Sequence, residues 1–319
     1  MERLIRARVE VDPQLLLLAK AHLIDHCTGE MTAQLDAFTT SIGARRVDRV
    51  VIHPTVDVEA SVDAVAQHLS ATVALGEAVW ALIGAGALVP LSGGNDAPRT
   101  NVEWTTVVPG SGGTSRGWRF DDLVVPMPPK FAVAPSRRAR PTHLTDGDLY
   151  LATLGEGVHP LIVESLRDGV RCLRADLYLP AIAMLAKAAE EAWTLFAASL
   201  AAVAPKDAGA AKLGKDVDAG ALHFAALLKR ATELYARQDL FSAIAKASGA
   251  SLEEVRSARE WAEVVRDSRN VLHFTVATPV PNTYEKAAAL YLGAVPNLRL
   301  LFAATREANT VAAASNPGS

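Results

Sequence analysis

The stretch Leu177-Tyr-Leu-Pro-Ala-Ile-Ala-Met-Leu-Ala-Lys-Ala-Ala-Glu190-Glu191-Ala-Trp193 reads as the opening of the longest helix in the chain, running to about Val203. It depends on alanine and leucine, and so does the sequence as a whole. Apolar residues make up 50% of the 319 positions and aromatics only 6%, so burial rests on Ala, Leu and Val, the composition of packed helices. From Thr145 onward the pattern is helical almost without relief.

Helix starts flank this segment on both sides. Thr145-x-x-Asp148 and His159-Pro160 come before it, the proline suiting a first turn. After it, a Gly/Lys/Asp-rich loop leads to a helix from Ala221 to about Leu240. Ser251-x-x-Glu254 is a capping box that opens another, Asn282-x-x-Glu285 opens a last pair, and Ala308 to Ser319 reads as a disordered tail.

The N-terminal part is mixed. Asp12 to about Phe38 reads as two helices with Pro13 in a first turn and a break at Thr28-Gly29-Glu30, and Arg46 to Ile52 as a short strand. Ser61 to Ser70 and Leu75 to Gly84 are expected as a pair of short helices. Val102 to Val108 and Gly117 to Val125, joined by Pro109-Gly110-Ser111-Gly112-Gly113, are expected as a hairpin. Five prolines between Pro126 and Pro141, with Arg137, Arg138 and Arg140, exclude a helix or a central strand there. The expected division is therefore 1–125 as a small α+β domain, 126–144 as a linker, 145–307 as a helical bundle and 308–319 as the tail.

The chemically loaded segment is Arg266-Asp267-Ser268-Arg269-Asn270-Val271-Leu272-His273. At about 100° per residue, a helix from Ser251 to Phe274 places Trp261, Val264, Val265, Val271 and Leu272 on a core face. Arg259, Arg266, Arg269, Asn270 and His273 then share the opposite side, with Glu263 at the margin. A guanidinium and an imidazole one turn apart can address the same phosphate. That points to metal-free RNA cleavage: the imidazole moves a proton, arginine offsets the charge growing on phosphorus, and the adjacent 2′-hydroxyl is the nucleophile. The plainer reading is a solvated charged helix face, with His273 favoured near a helix C-terminus by the macrodipole.

An Arg-Asn pair followed shortly by His near a helix end, preceded by a long helix of the Leu177–Trp193 type, resembles the HEPN superfamily (higher eukaryotes and prokaryotes nucleotide-binding) over roughly residues 158 to 305. The resemblance implies a helical bundle, often a dimeric ribonuclease of toxin, antiphage or RNA-processing systems. Its signature is an arginine, four to six intervening residues and a histidine. Arg266 to His273 has six, while Arg269-Asn270 has three residues before His273. The resemblance also implies a composite site across a two-fold dimer, with Lys187, Glu190 and Glu191 on the long helix as candidates to orient the arginines and Arg259 beside them. Glu77-Ala-Val-Trp80-Ala-Leu-Ile-Gly84 through Leu88-Val-Pro90 resembles the second helix and exit strand of a winged helix-turn-helix, which implies contact with DNA or protein.

The fold expected is thus mainly α: a C-terminal HEPN-like bundle preceded by a small winged-helix-like α+β domain. Two functions follow, a metal-independent endoribonuclease or toxin-like effector, or a non-catalytic HEPN-like module that binds nucleotide or a partner. RNA and a second copy of the chain are the expected partners, with no cofactor, metal or membrane. The charge of −3 gives no global attraction to phosphate, so nucleic-acid contact must be local. Cys27 and Cys172, far apart behind a Met-Glu-Arg-Leu start, fit a reducing cytoplasm.

Other motifs are set aside. His22-x-x-x-His26-Cys27 has metal-like spacing but lacks a further ligand. The Gly110–Gly117 run and Gly84-x-Gly86 lack the strand-to-helix context of phosphate loops, and no Gly-x-Ser-x-Gly elbow occurs.

Overall fold

The computed structural model describes residues 2–26, 28–45, 49–52, 58–91, 101–108, 112–120, 122–134, 144, 146–270 and 282–315. The chain is mainly helical and divides into two compact units, Met1–Leu149 and Tyr150–Ser319.

The first unit combines four helices, α1 (Glu2–Arg8), α2 (Pro13–His26), α3 (Met31–Ser41) and α4 (Val58–Gly84), with six short strands. The strands are β1 (Thr28–Glu30), β2 (Arg49–Ile52), β3 (Leu88–Pro90), β4 (Asn101–Val108), β5 (Gly112–Arg119) and β6 (Lys130–Val133). One sheet has the order β1-β6-β3, all antiparallel; the other is β2-β4-β5, with β2 parallel and β5 antiparallel to β4. Leu23, Phe38, Leu75, Leu82 and Phe131 are fully buried in the core that joins α2, α3 and α4 to the first sheet.

Three expectations fail in this unit. The second strand of the hairpin is Gly112–Arg119 and not Gly117–Val125, since Gly112 and Gly113 pair with Val108 and Val107 instead of belonging to the turn. The pair of helices is one continuous α4, because Ala71-Thr72-Val73-Ala74 contains neither glycine nor proline to stop it. It ends where Gly86 turns to φ 64° and the Ala87 N–H reaches back to the Leu82 carbonyl, a left-handed helix exit that only glycine enters without strain. The segment read as a linker holds β6, the central strand of its sheet. Prolines at 126, 128, 129 and 135 flank Lys130–Val133 without entering it, so all four of its backbone N–H groups are present for pairing.

The second unit is built on α7 (Tyr178–Val203), against which α6 (Pro160–Arg174), α8 (Ala208–Asp218), α9 (Phe224–Tyr235), α11 (Leu252–Asn270) and α12 (Tyr284–Ser315) pack; α5 (Gly147–Ala152) leads in and α10 (Gln238–Ser248) lies against α12. Thirteen residues of α7 are buried, among them Trp193, set edge-on to Phe196 with ring centroids 5.6 Å apart. Such a helix is apolar around most of its circumference because neighbours cover it on several sides. Tyr291 of α12 fits over Gly169 of α6 and donates to the Ala181 carbonyl at 2.8 Å, while its own carbonyl accepts from Tyr150 at 2.8 Å.

Local chemistry explains the helix starts. Ser251 and Glu254 form the reciprocal capping box, with the Ser251 N–H donating to Glu254 Oε2 at 2.8 Å and the Glu254 N–H to Ser251 Oγ at 3.2 Å. Asp146 caps α5 by accepting from the N–H groups of Asp148 and Leu149, while Thr145 of the expected start lies outside the described residues. The Gly/Lys/Asp-rich loop carries α8, whose Asp207 cap accepts from Gly209 and Ala210 and whose Leu213 is buried. The expected last pair of helices is one helix that continues through Pro296, and the expected tail is helical to Ser315, since Ala304 and Ala308 extend its buried stripe. By length and composition α12 is long and apolar enough to cross a membrane, with mean hydropathy 1.4 over an 18-residue window of Tyr284–Ala314; its Tyr291, Leu298 and Leu301 are buried in the bundle.

Candidate functional site

The last turn of α11 holds Arg266, Arg269 and Asn270, all partly exposed. His273, with Val271 and Leu272, lies outside the described residues, as do Cys27, Arg137, Arg138 and Arg140. The side of α11 turned to the bundle is lined by Val255, Ala258, Ala262, Val265 and Ser268. This differs from the expected core face: Val264 is 52% exposed and Trp261 only partly buried. The buried arc is rotated by roughly 80° from the one that the large apolar residues suggest, toward the arginines. Ala258, Ala262 and Ser268 are small buried side chains on a helix that packs against α7, α9 and α12, and a pattern weighted by large residues does not register them. Trp261 instead reaches α12, where its indole N–H donates to the Leu290 carbonyl at 3.2 Å.

As a result the four candidate residues of α11 do not form one outward stripe. Arg269 falls within the buried arc and faces α7, where its Nη1 meets Glu190 Oε2 at 3.1 Å. Arg266 directs both Nε and Nη2 to Oδ1 of its neighbour Asp267, at 3.0 and 2.7 Å. Arg259 pairs with Glu263 one turn on, at 2.9 Å. Asn270 closes the helix beside Arg269.

On α7, Glu190 is the acidic residue that receives Arg269, Lys187 is exposed one turn earlier, and Glu191 turns to a different neighbour. Glu191 Oε1 lies 3.6 Å from Nδ1 of His159, the residue immediately before α6. The Nδ1 atom is buried and has no hydrogen-bond partner among the described residues. His159 was legible only as a helix start; its approach to Glu191 depends on how α6 packs on α7. The dipeptide Glu190-Glu191 therefore connects the end of α11 on one side with the start of α6 on the other.

The two arginines near the end of α11 differ chemically. A guanidinium has five N–H donors in a planar fork. Arg266 directs one edge of that fork to Asp267, whereas among the described residues Arg269 gives a single N–H to Glu190, which leaves donors for a second acceptor. The Arg269–Glu190 pair is partly exposed, at 30% and 41%, so an incoming phosphate can compete for it at a cost of under about 1 kcal/mol.

Elsewhere, His22 and His26 stack with centroids 5.2 Å apart, and burial together with His26 lowers the His22 pKa from its ordinary value. Among the described residues no group of three His, Cys, Asp or Glu side chains is arranged to hold a metal ion. Comparison with family models, curated proteins and solved structures gives no match to this chain.

Proposed function

We propose that the second unit is a HEPN-like bundle acting as a metal-independent endoribonuclease, with the end of α11 and His273 as its reactive edge and the first, winged-helix-like unit choosing the target. The observation that carries this reading is the half-committed Arg269. It is positioned by Glu190 from the central helix, set beside Asn270, and left with donors that suit two phosphate oxygens. Arg269 is accordingly preferred over Arg266 as the phosphate-binding arginine. His273 takes the proton from the RNA 2′-hydroxyl, the resulting oxygen attacks the adjacent phosphorus, and the 5′-oxygen departs with a proton. The products are a 2′,3′-cyclic phosphate and a 5′-hydroxyl end. A second copy of the chain completes the site in this reading.

The local neutralisation of Arg259, Arg266 and Arg269 by Glu263, Asp267 and Glu190 favours a second reading, a non-catalytic module that binds RNA or a partner through the same edge. One experiment separates them. The full-length chain and its His273→Ala, Arg269→Ala and Arg266→Ala variants are incubated with total RNA in EDTA and resolved on a denaturing gel, with RNA binding measured in parallel. Cleavage by the wild type should fall by 10² or more in His273→Ala and Arg269→Ala and by less in Arg266→Ala. Binding without cleavage, weakened by Arg269→Ala, supports the module. Absence of both rejects the two readings together.

A further inference from the structure

A cleft of about 700 Å³ opens in the second unit on a different set of surfaces from the end of α11. Its volume lies in the range of small-molecule sites, which are mostly apolar with a few placed polar groups. One wall is a face of α7, Leu195, Ala198, Ser199 and Ala202, spaced at i, i+3, i+4 and i+7. Three of these four side chains are small, so α7 leaves a trough that its own residues do not fill. The facing wall is the matching ridge of α12, Phe302, Thr305, Arg306 and Asn309, which changes along its length from aromatic to polar. Residues 156–160, ahead of and at the start of α6, close a third side.

The polar groups of the cleft have an uneven charge. Arg306 has no carboxylate against it among the described residues, in contrast to Arg171, Arg230, Arg237, Arg259, Arg266 and Arg269 of the same unit, each of which has one. The Ser199 hydroxyl already donates to the Phe196 carbonyl and is no ligand group. His159 is among the lining residues, and its Nδ1 lies near Glu191. Glu156 is the acidic residue of the lining, and its carboxylate disfavours a second negative charge in the occupant.

We propose that this cleft binds a small amphipathic monoanion, its apolar body laid along the alanine face of α7 and its carboxylate held by Arg306. Shape and charge both support the assignment. The trough is apolar where the body lies, and the guanidinium of Arg306 stands at its polar end. A polyphosphate fits poorly, because it would bring several charges past Glu156 into an apolar channel. The proposal is independent of RNA cleavage, since none of its residues belongs to the end of α11.

The probe is 8-anilinonaphthalene-1-sulfonate, an aromatic body with one anionic group, titrated by fluorescence into the full-length chain and then displaced by decanoate or by 1-decanol. Saturable binding of one probe per chain is expected, with displacement by decanoate. Arg306→Ala should weaken decanoate about tenfold or more while changing 1-decanol less than about twofold, the signature of a charge-assisted contact. Ala198→Trp fills the trough and should abolish probe binding. Asn309→Trp, at an exposed position on the rim, tests the same point in case the first variant does not fold. The proposal is overturned by failure of the wild type to bind saturably, by folded tryptophan variants that bind as the wild type does, or by an Arg306→Ala chain that keeps the wild-type affinity for decanoate.

Discussion

Arg269 and Arg306 stand on two helices that both pack against α7, yet α7 meets them with different chemistry. Opposite α11 it offers Glu190, which fixes Arg269 and lowers the local charge. Opposite α12 it offers Leu195, Ala198 and Ala202, which give Arg306 no partner and leave a cleft. The difference shows that one helix can supply both an electrostatic seat and a steric vacancy by changing residue type within two or three turns. A seated arginine is positioned for a ligand that arrives as a polyanion and competes for it. An unseated arginine beside an apolar trough suits a ligand that brings its own single charge.

The largest test of this contrast removes the frame common to both surfaces. A methyl group at Gly169 would lie 1.8 Å from the Tyr291 hydroxyl, which is buried and bonded to the Ala181 carbonyl. Gly169→Ala therefore displaces Tyr291 and breaks that bond. Overpacking and the stranded polar group together cost about 3 kcal/mol, against about 1 kcal/mol gained from helix propensity. A net loss of about 2 kcal/mol, read as a drop in midpoint of roughly 5 °C, should weaken probe binding at the cleft and RNA binding at the end of α11 alike. If only one of the two surfaces responds, they do not share the frame that α6, α7 and α12 provide.

How far these features were legible follows from what kind of residue carries each. The capping box at Ser251, the proline start at Pro160 and the extent of α7 lie in local chemistry, and the structure forms all three. The strand at Lys130–Val133 is hidden in the sequence because prolines on both sides mask a four-residue run that itself contains none. The helix α8 was hidden by its glycines, and its stability comes from an aspartate cap and from packing of Ala210 and Leu213 on neighbouring helices. For the end of α11 the residue types were legible and their orientation was not. Ala258, Ala262 and Ser268 lie on the buried side of α11, and small buried residues carry little weight in a hydrophobic pattern. The cleft was invisible for the same reason in reverse, since alanines that leave space look the same in sequence as alanines that permit contact.

A finer test separates the two arginines. Arg269→Ala and Glu190→Ala, combined in a double-mutant cycle of thermal stability, should show a coupling of about 0.5 kcal/mol, as expected for a partly exposed pair. Arg306→Ala should leave stability unchanged within about 0.5 kcal/mol, because no ion pair is lost with it. Glu190→Ala is expected to weaken RNA binding less than Arg269→Ala, since it frees the guanidinium while loosening its position. A coupling near zero would mean that Glu190 does not seat Arg269, and the contrast with Arg306 would disappear.

The smallest effect concerns the opposite end of α11. The Ser251 hydroxyl and N–H hold the Glu254 carboxyl below its ordinary pKa of about 4.3. A carboxylate with a lowered folded-state pKa contributes stability that is present above its unfolded value and is lost as pH falls through the folded value. Glu254→Ala should therefore lower stability modestly at pH 7, by an amount that shrinks on acidification below about pH 4. Because Arg269 is seated by Glu190 at the far end of the same helix, this loss should leave RNA binding unchanged at pH 7. Unfolding curves of wild type and variant at the two pH values, with RNA affinity measured beside them, distinguish a helix end that stabilises from one that also positions. Were Glu254→Ala to weaken RNA binding as much as Arg269→Ala does, the seat at Glu190 would not be what holds the arginine, and α11 as a whole would have to be considered the positioning element.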